Sequence, residues 1–306
     1  MPNSSKCPHS VPATPQGCHE HPQECCGEPI QVHVHVHLHR KCRSSAATTP
    51  VLPVTPAAVL PVTPAAPVKP PELPTIRIGY TDWAIGYSVY PALPSQIKAL
   101  ANYGPVGIYN KLTSVAFLSA MADITASSLT AAQLKDKYEI ISLGLHSLVC
   151  TVAQAERLKA YVDLGGVLIM VCDHGISAGS INVLKSFGHI GPYSVSSALG
   201  TPYTGQSSAT ESLSNYFGDS RAVQLKGHAG LEMKRAQLPP GSKVLAEYNG
   251  NVLAWEIGGT NGGALAFCDI QLTEYQVAGV DVDNGQERFL NNAMAYLFDR
   301  VIERNK

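Results

Sequence analysis

Residues Tyr138 to Gly175, YEIISLGLHSLVCTVAQAERLKAYVDLGGVLIMVCDHG, decide the fold. Glu139 to Leu143 is a short apolar run rich in β-branched residues, and Val167 to Cys172 is another. Between them Thr151 to Val162 carries helical spacing, with Gly165 and Gly166 as its stop. Strands that are apolar at every position belong to a parallel sheet covered by helices on both faces. Strand, helix and strand at this spacing form a right-handed crossover. The second strand ends in a polar turn at Asp173, His174 and Gly175.

Elements on either side extend the pattern. TIRIGY (Thr75 to Tyr80) is an opening strand, SQIKALANYG a helix that stops at Gly104, and VGIY (Val106 to Tyr109) a second strand. SVAFLSAMAD and TAAQLKD are expected as short helices, with Thr130 as N-cap of the latter. Ala178 to Phe187 has helical character, whereas Pro192 to Gln206 reads as a long excursion and the next twenty residues show little periodicity. VLAEY and VLAWE flank Asn249, Gly250 and Asn251, a hairpin signal. ALAFC (Ala264 to Cys268) is the last strand, and Gln286 to Val301 an amphipathic helix.

The chain before Thr75 is different material. Fifteen of the 22 prolines lie there and no aromatic residue precedes Tyr80, so this region cannot bury enough apolar surface to fold alone. Residues 44–74 hold VLPVTPAA twice in succession and read as a semi-rigid polyproline-like spacer. Residues 1–43 form an arm with five of the eight cysteines and seven of the eleven histidines, the side chains best suited to Zn, Cu or Ni. Cys18 and His21, with Cys25 and Cys26 just beyond, have ligand-like spacing without the second half of a standard finger. VHVHVHLH (Val32 to His39) alternates with the period of a strand, placing His33, His35, His37 and His39 on one face. Such a strand is unstable alone and adds to a sheet edge, pairs with copies of itself or stays unordered. The arm's cysteines could instead cross-link chains in an oxidising compartment. Self-association, or a protein partner held through residues 1–43, is the expectation.

Charge excludes other classes. With 22 basic against 23 acidic side chains the chain has no basic field for nucleic acid. No apolar run is long enough to span a membrane, and the N-terminus lacks a secretory signal, so the default expectation is the cytoplasm.

Across residues 75–306 the order of elements resembles the class I glutamine amidotransferase-like superfamily, in particular its ThuA-like branch and the auxiliary domains of gliding-type ABC transporters. The resemblance rests on YEIISLG with AERLKAYVDLGGVLIMVCDHG, VLAEYNGNVLAWEIGGTNGGALAFCD and NGQERFLNNAMAYLF. It implies a flavodoxin-like, mostly parallel α/β sheet with helices on both faces. It also implies a nucleophile elbow, G-x-C-x-G, at the end of the second strand, which puts Cys172 in the nucleophile's place; a thiol enzyme built on this chain would take His174 or His228 as base. Here Met170 replaces the first glycine of that elbow, and the family's His-x-Glu has no counterpart in FCDIQLTEY.

Ligands of open α/β sheets bind at the carboxyl ends of the strands. His146, Asp173, His174 and Asp269 all follow strands, so they are the expected ligand pocket or a metal site of carboxylate and imidazole type. Asp281, Asp283 and Asn284 are reminiscent of a calcium loop but lack the required glutamate, and read as a solvated turn. Taken together, the residues favour a non-catalytic binding or assembly module with a metal-binding arm. A Cys172-dependent hydrolase or transferase, or a domain binding a sugar-like molecule, are the alternatives.

Overall fold

β3 (Ile140–Gly144) and β4 (Val167–Val171) are buried at all their positions, and α4 (Val152–Asp163) joins them. The structure is a computed structural model that describes residues 72–306, apart from 127, 194–198 and 201. The arm and spacer, with Cys18, His21, Cys25, Cys26, His33, His35, His37 and His39, lie outside the described residues. Thr151 caps α4 by accepting the Gln154 N–H, while the Gln154 side chain accepts from the Thr151 N–H. At its far end Gly166 has to be glycine, because a Cβ there would sit 2.3 Å from the Tyr161 ring.

These strands belong to a nine-stranded mixed sheet of order β2-β1-β3-β4-β9-β8-β7-β5-β6. β1 (Thr75–Tyr80), β2 (Ser114–Ser119), β3, β4 and β9 (Ala264–Phe267) run parallel. The remainder is antiparallel: β8 (Asn251–Glu256) pairs with β9 and β7 (Lys243–Tyr248), then β5 (Tyr203–Ser207) pairs with β7 and β6 (Gln224–Gly227). Asn249 and Gly250, with φ of 48° and 72°, make the two-residue turn between β7 and β8.

α1 (Ala92–Lys98) packs on α6 (Gly285–Arg304), while α3 (Ala131–Lys137), α4 and α5 (Ser180–Ser186) pack in series. Both α4 and α6 reach β4, which is how that strand comes to be covered on both faces. The Asn284 side chain caps α6, and the buried Glu287 carboxylate accepts the N–H groups of Ala278, Asp283 and Asn284 at 2.7–3.0 Å. The VDVDNG segment is thereby the cap of α6.

Four segments differ from the sequence expectation. VGIY is not a strand: of its residues only Tyr109 makes a bridge, to Tyr103, and both rings pack near Phe298. The strand beside β1 is instead Ser114–Ser119, where local spacing predicts a helix; all six of its residues register with β1, and α2 (Met121–Thr125) keeps only the end of that helix. Pairing to a neighbouring strand outweighs local spacing there. β5 and β6 fall in the segments read as loop, since their Gly, Ser, Thr and Gln content carries almost no apolar signal.

Candidate functional site at the carboxyl edge of the parallel strands

The carboxyl ends of β1, β3, β4 and β9 deliver Trp83, His146, Asp173 with His174, and Asp269 to one edge. The loop after β1 is tied to β3 by three bonds, Thr81 N–H to the Ser142 carbonyl (3.0 Å), Gly144 N–H to Thr81 Oγ1 (2.8 Å) and Ile85 N–H to Ser142 Oγ (3.1 Å). It passes so close that a Cβ on Gly144 would lie 2.0 Å from the Asp82 carbonyl oxygen. Trp83 then takes φ 60°, an unfavourable conformation for a bulky side chain. Its ring stands 4.9 Å from that of His146 and 5.9 Å from that of Tyr90, and His146 in turn lies 4.4 Å from His174, centroid to centroid.

His146, Asp173 and His174 therefore form one cluster, with one possible ligand atom of each within 4.8 Å of the others. Asp173 is buried to 1% exposure and His174 is half exposed. Asp173 Oδ1 accepts the His174 N–H at 2.8 Å. Its Oδ2 lies 3.3 Å from His174 Nδ1, within ion-pair reach but without hydrogen-bond alignment, so that Oδ2 and the buried His146 Nδ1 both lack a hydrogen-bond partner.

Asp269 joins the same network. Its Oδ2 accepts Tyr203 O–H at 2.7 Å and the His228 N–H at 2.8 Å, and its Oδ1 accepts the Gln271 N–H at 2.7 Å. With the Gln271 carboxamide assigned so that its nitrogen faces the carboxylates, Asp173 Oδ1 (3.0 Å), the His228 carbonyl (3.1 Å) and Asp269 Oδ1 lie within reach of its two N–H donors. Burial pushes the Asp269 carboxyl up to about 7; the three donors pull against that shift, and the Asp173 charge adds to it. Tyr90 is pushed up to about 12 by burial and by the charges of Asp173, Asp269 and Glu274. The His228 ring is stacked on Tyr275.

Cys172 stands apart from this chemistry. It is fully buried, its N–H is bonded to the Phe267 carbonyl in the sheet, and burial together with the Asp173 charge pushes its thiol up to about 12. An activated thiol is shifted the other way. No hydrogen bond joins Cys172 to His174 or His228, and His174 is engaged with Asp173 instead.

Sequence reasoning missed Trp83, Tyr90, Tyr203 and Gln271. Trp83 and Tyr90 follow the first strand, and the rule that ligands meet strand carboxyl ends could have found them. Tyr203 and Gln271 had no such signal, since they arrive from the antiparallel half and from a short helical turn. Depressions lined by Gln206, Ser208, Arg235 and Glu247 (about 280 Å³) and by Pro74, Lys111 and Ile302 (about 580 Å³) lie away from these groups.

No protein-family model matches the chain, and no curated protein matches it. Among solved structures it is similar to a ThuA-like protein from Bacteroides uniformis, at 12% identity and TM-score 0.44 over 76% of this chain and 95% of the other. It is also similar to the N-terminal domain of IFT52, at 12% identity and TM-score 0.47 over 73% and 97%. A glutamine amidotransferase from Thermotoga maritima is similar at 10% identity and TM-score 0.38 over 74% and 98%.

Proposed function

We propose that the protein is a non-catalytic binding or assembly module, its amidotransferase-like α/β domain carried on a proline-rich spacer from an arm that binds metal ions and associates with other chains. The observation that carries the first half is Cys172: it occupies the place of a nucleophile yet is fully buried, with a thiol pushed up to about 12. The second half rests on sequence, on the alternating VHVHVHLH and the arm's five cysteines. No membrane anchor is part of this reading, and no helix among the described residues is long and apolar enough to cross a membrane.

Size-exclusion chromatography of the full chain and of residues 75–306, with and without chelator and reductant, tests the proposal. The full chain is expected to elute as an oligomer that chelator or reductant dissociates, and residues 75–306 as a monomer. Identical monomers in every buffer would remove the assembly reading. Retained hydrolytic or transfer activity that vanishes in Cys172→Ala would favour the thiol enzyme instead.

A second reading has an observation of its own. Trp83, Tyr90 and the two carboxylates share one edge, and an aromatic face beside acceptor oxygens is the chemistry that holds a polyhydroxylated, sugar-like molecule. Trp83 fluorescence titrated with mono- and disaccharides measures it; a saturable change lost in Trp83→Ala or absent altogether separates the two outcomes.

A further inference from the structure

The geometry points to a binding site for a divalent first-row transition ion, Zn²⁺ foremost, made by His146, Asp173 and His174 at the carboxyl ends of β3 and β4. This site is separate from the arm and stands or falls independently of it.

Three observations support it. The donor set, two imidazoles and one carboxylate, is one that borderline divalent ions accept, and its ligand atoms lie within 4.8 Å of one another. The separation of 3.3 Å between Asp173 Oδ2 and His174 Nδ1 matches the edge of about 3.3 Å for a tetrahedron with metal–ligand bonds of about 2.0–2.1 Å. Rotation of His174, whose side chain is half exposed, adjusts its own distances to the other two ligands, and the gap between His146 and Asp173, within 4.8 Å, has to close by movement of those side chains.

The second observation is the pair of orphaned atoms. Asp173 is 1% exposed, yet Oδ2 has no hydrogen-bond partner, and neither has the buried Nδ1 of His146. Native proteins rarely leave such atoms unpaired, because the desolvation they suffer is not returned. A cation held by Asp173 gives Oδ2 a partner, and one ligated through His146 Nδ1 gives that nitrogen a partner as well.

The third is the support around the ligands. Asp173 Oδ1 is held by the His174 N–H and by the Gln271 amide, which turns the other oxygen toward the imidazoles. His146 is held against Trp83. Outer contacts of this kind orient ligands in metal sites. Three protein ligands leave at least one coordination position, on the exposed His174 side, for water or an external donor.

The test uses the full chain, with Zn²⁺ and Co²⁺ as probes. An ion bound to native His146, Asp173 and His174 raises the α/β domain's unfolding midpoint, and variants that keep the arm but lose one of these ligands separate it from an ion bound in the arm. Zn²⁺ at about a hundred times its Kd is expected to raise the midpoint by about 5 °C, reversibly with chelator. Co²⁺ is expected to quench the emission of Trp83, which adjoins His146; the other tryptophan, Trp255, is buried against His189. Both effects should disappear in His174→Ala, where the exposed position leaves the apo midpoint unchanged, and in Asp173→Asn. No midpoint shift in the wild-type chain, or a shift or quench that survives in His174→Ala, would overturn the proposal.

Discussion

Asp173 and Asp269, which follow the adjacent parallel strands β4 and β9, share a single carboxamide donor, that of Gln271. Two buried carboxylates at one sheet edge repel, and the Gln271 nitrogen answers one oxygen of each. Gln271→Glu replaces that donor by a third acid. We expect a loss of about 2–3 kcal/mol at pH 8. A buried glutamate's pKa is raised, so the penalty is full above its folded pKa and fades as pH falls. Urea midpoints at pH 5 and pH 8 check this, and an equal loss at both would show that charge is not the cause.

His189 is a structural histidine whose neutral form is required. Its Nε2 accepts the Trp255 indole N–H at 3.0 Å and its Nδ1 lies 3.1 Å from the Leu184 carbonyl. Burial lowers its pKa from 6.5 to about 4, with the Leu184 contact opposing. A base with a depressed folded pKa contributes stability that is present above the unfolded value, near 6.5, and is lost as pH falls toward 4. The loss is on the order of 3 kcal/mol. Wild type should therefore lose more stability between pH 7 and pH 4.5 than His189→Gln does, as read from denaturant midpoints at the two pH values.

Asp269 titrates with the opposite sign over an overlapping range. Its folded pKa of about 7 exceeds the ordinary carboxylate value, so its contribution is full below about pH 4 and is lost as pH rises toward 7. Once the His189 slope is removed by His189→Gln, stability is expected to decline from pH 5 to pH 7.5; a flat or rising profile would contradict the assignment.

Cys150, Cys172 and Cys268 are all buried, and burial raises each thiol above its usual pKa. Alkylation under native conditions followed by peptide mapping is expected to leave these three unlabelled, with labelling only after denaturant. Rapid native labelling of Cys172 would revive a thiol mechanism.

Gly144→Ala tests how the β1 loop is seated. The new Cβ would meet backbone atoms of Asp82 and Trp83 at 2.0–2.5 Å, so the loop itself has to move. The expected cost is about 2–4 kcal/mol, accompanied by a change in Trp83 emission as the ring leaves His146. An unchanged midpoint would mean that the loop yields freely.

The parallel half of the sheet was legible because buried central strands announce themselves as apolar runs, and IISLG and VLIMV are such runs. The hairpin was legible because Asn249 and Gly250 both adopt positive φ, which few residue pairs accept. Strands at the sheet's margins, the edge strands β2 and β6 and the neighbouring β5, carry no comparable mark. SVAFLS, YTGQS and QLKG are strands because a neighbour supplies their hydrogen bonds, and local composition contains no trace of that neighbour.

The same division holds for the site. Sequence by itself determined that His146, Asp173, His174 and Asp269 would follow strands, since strand ends are set by local apolar runs. Only the tertiary structure decided that His146 and His174 stand 4.4 Å apart, that Gln271 ties Asp173 to Asp269, and that Cys172 points its thiol into the core. Those relations depend on which strands become neighbours and on the rotation of each side chain, and both are settled by packing across residues up to nearly a hundred positions apart.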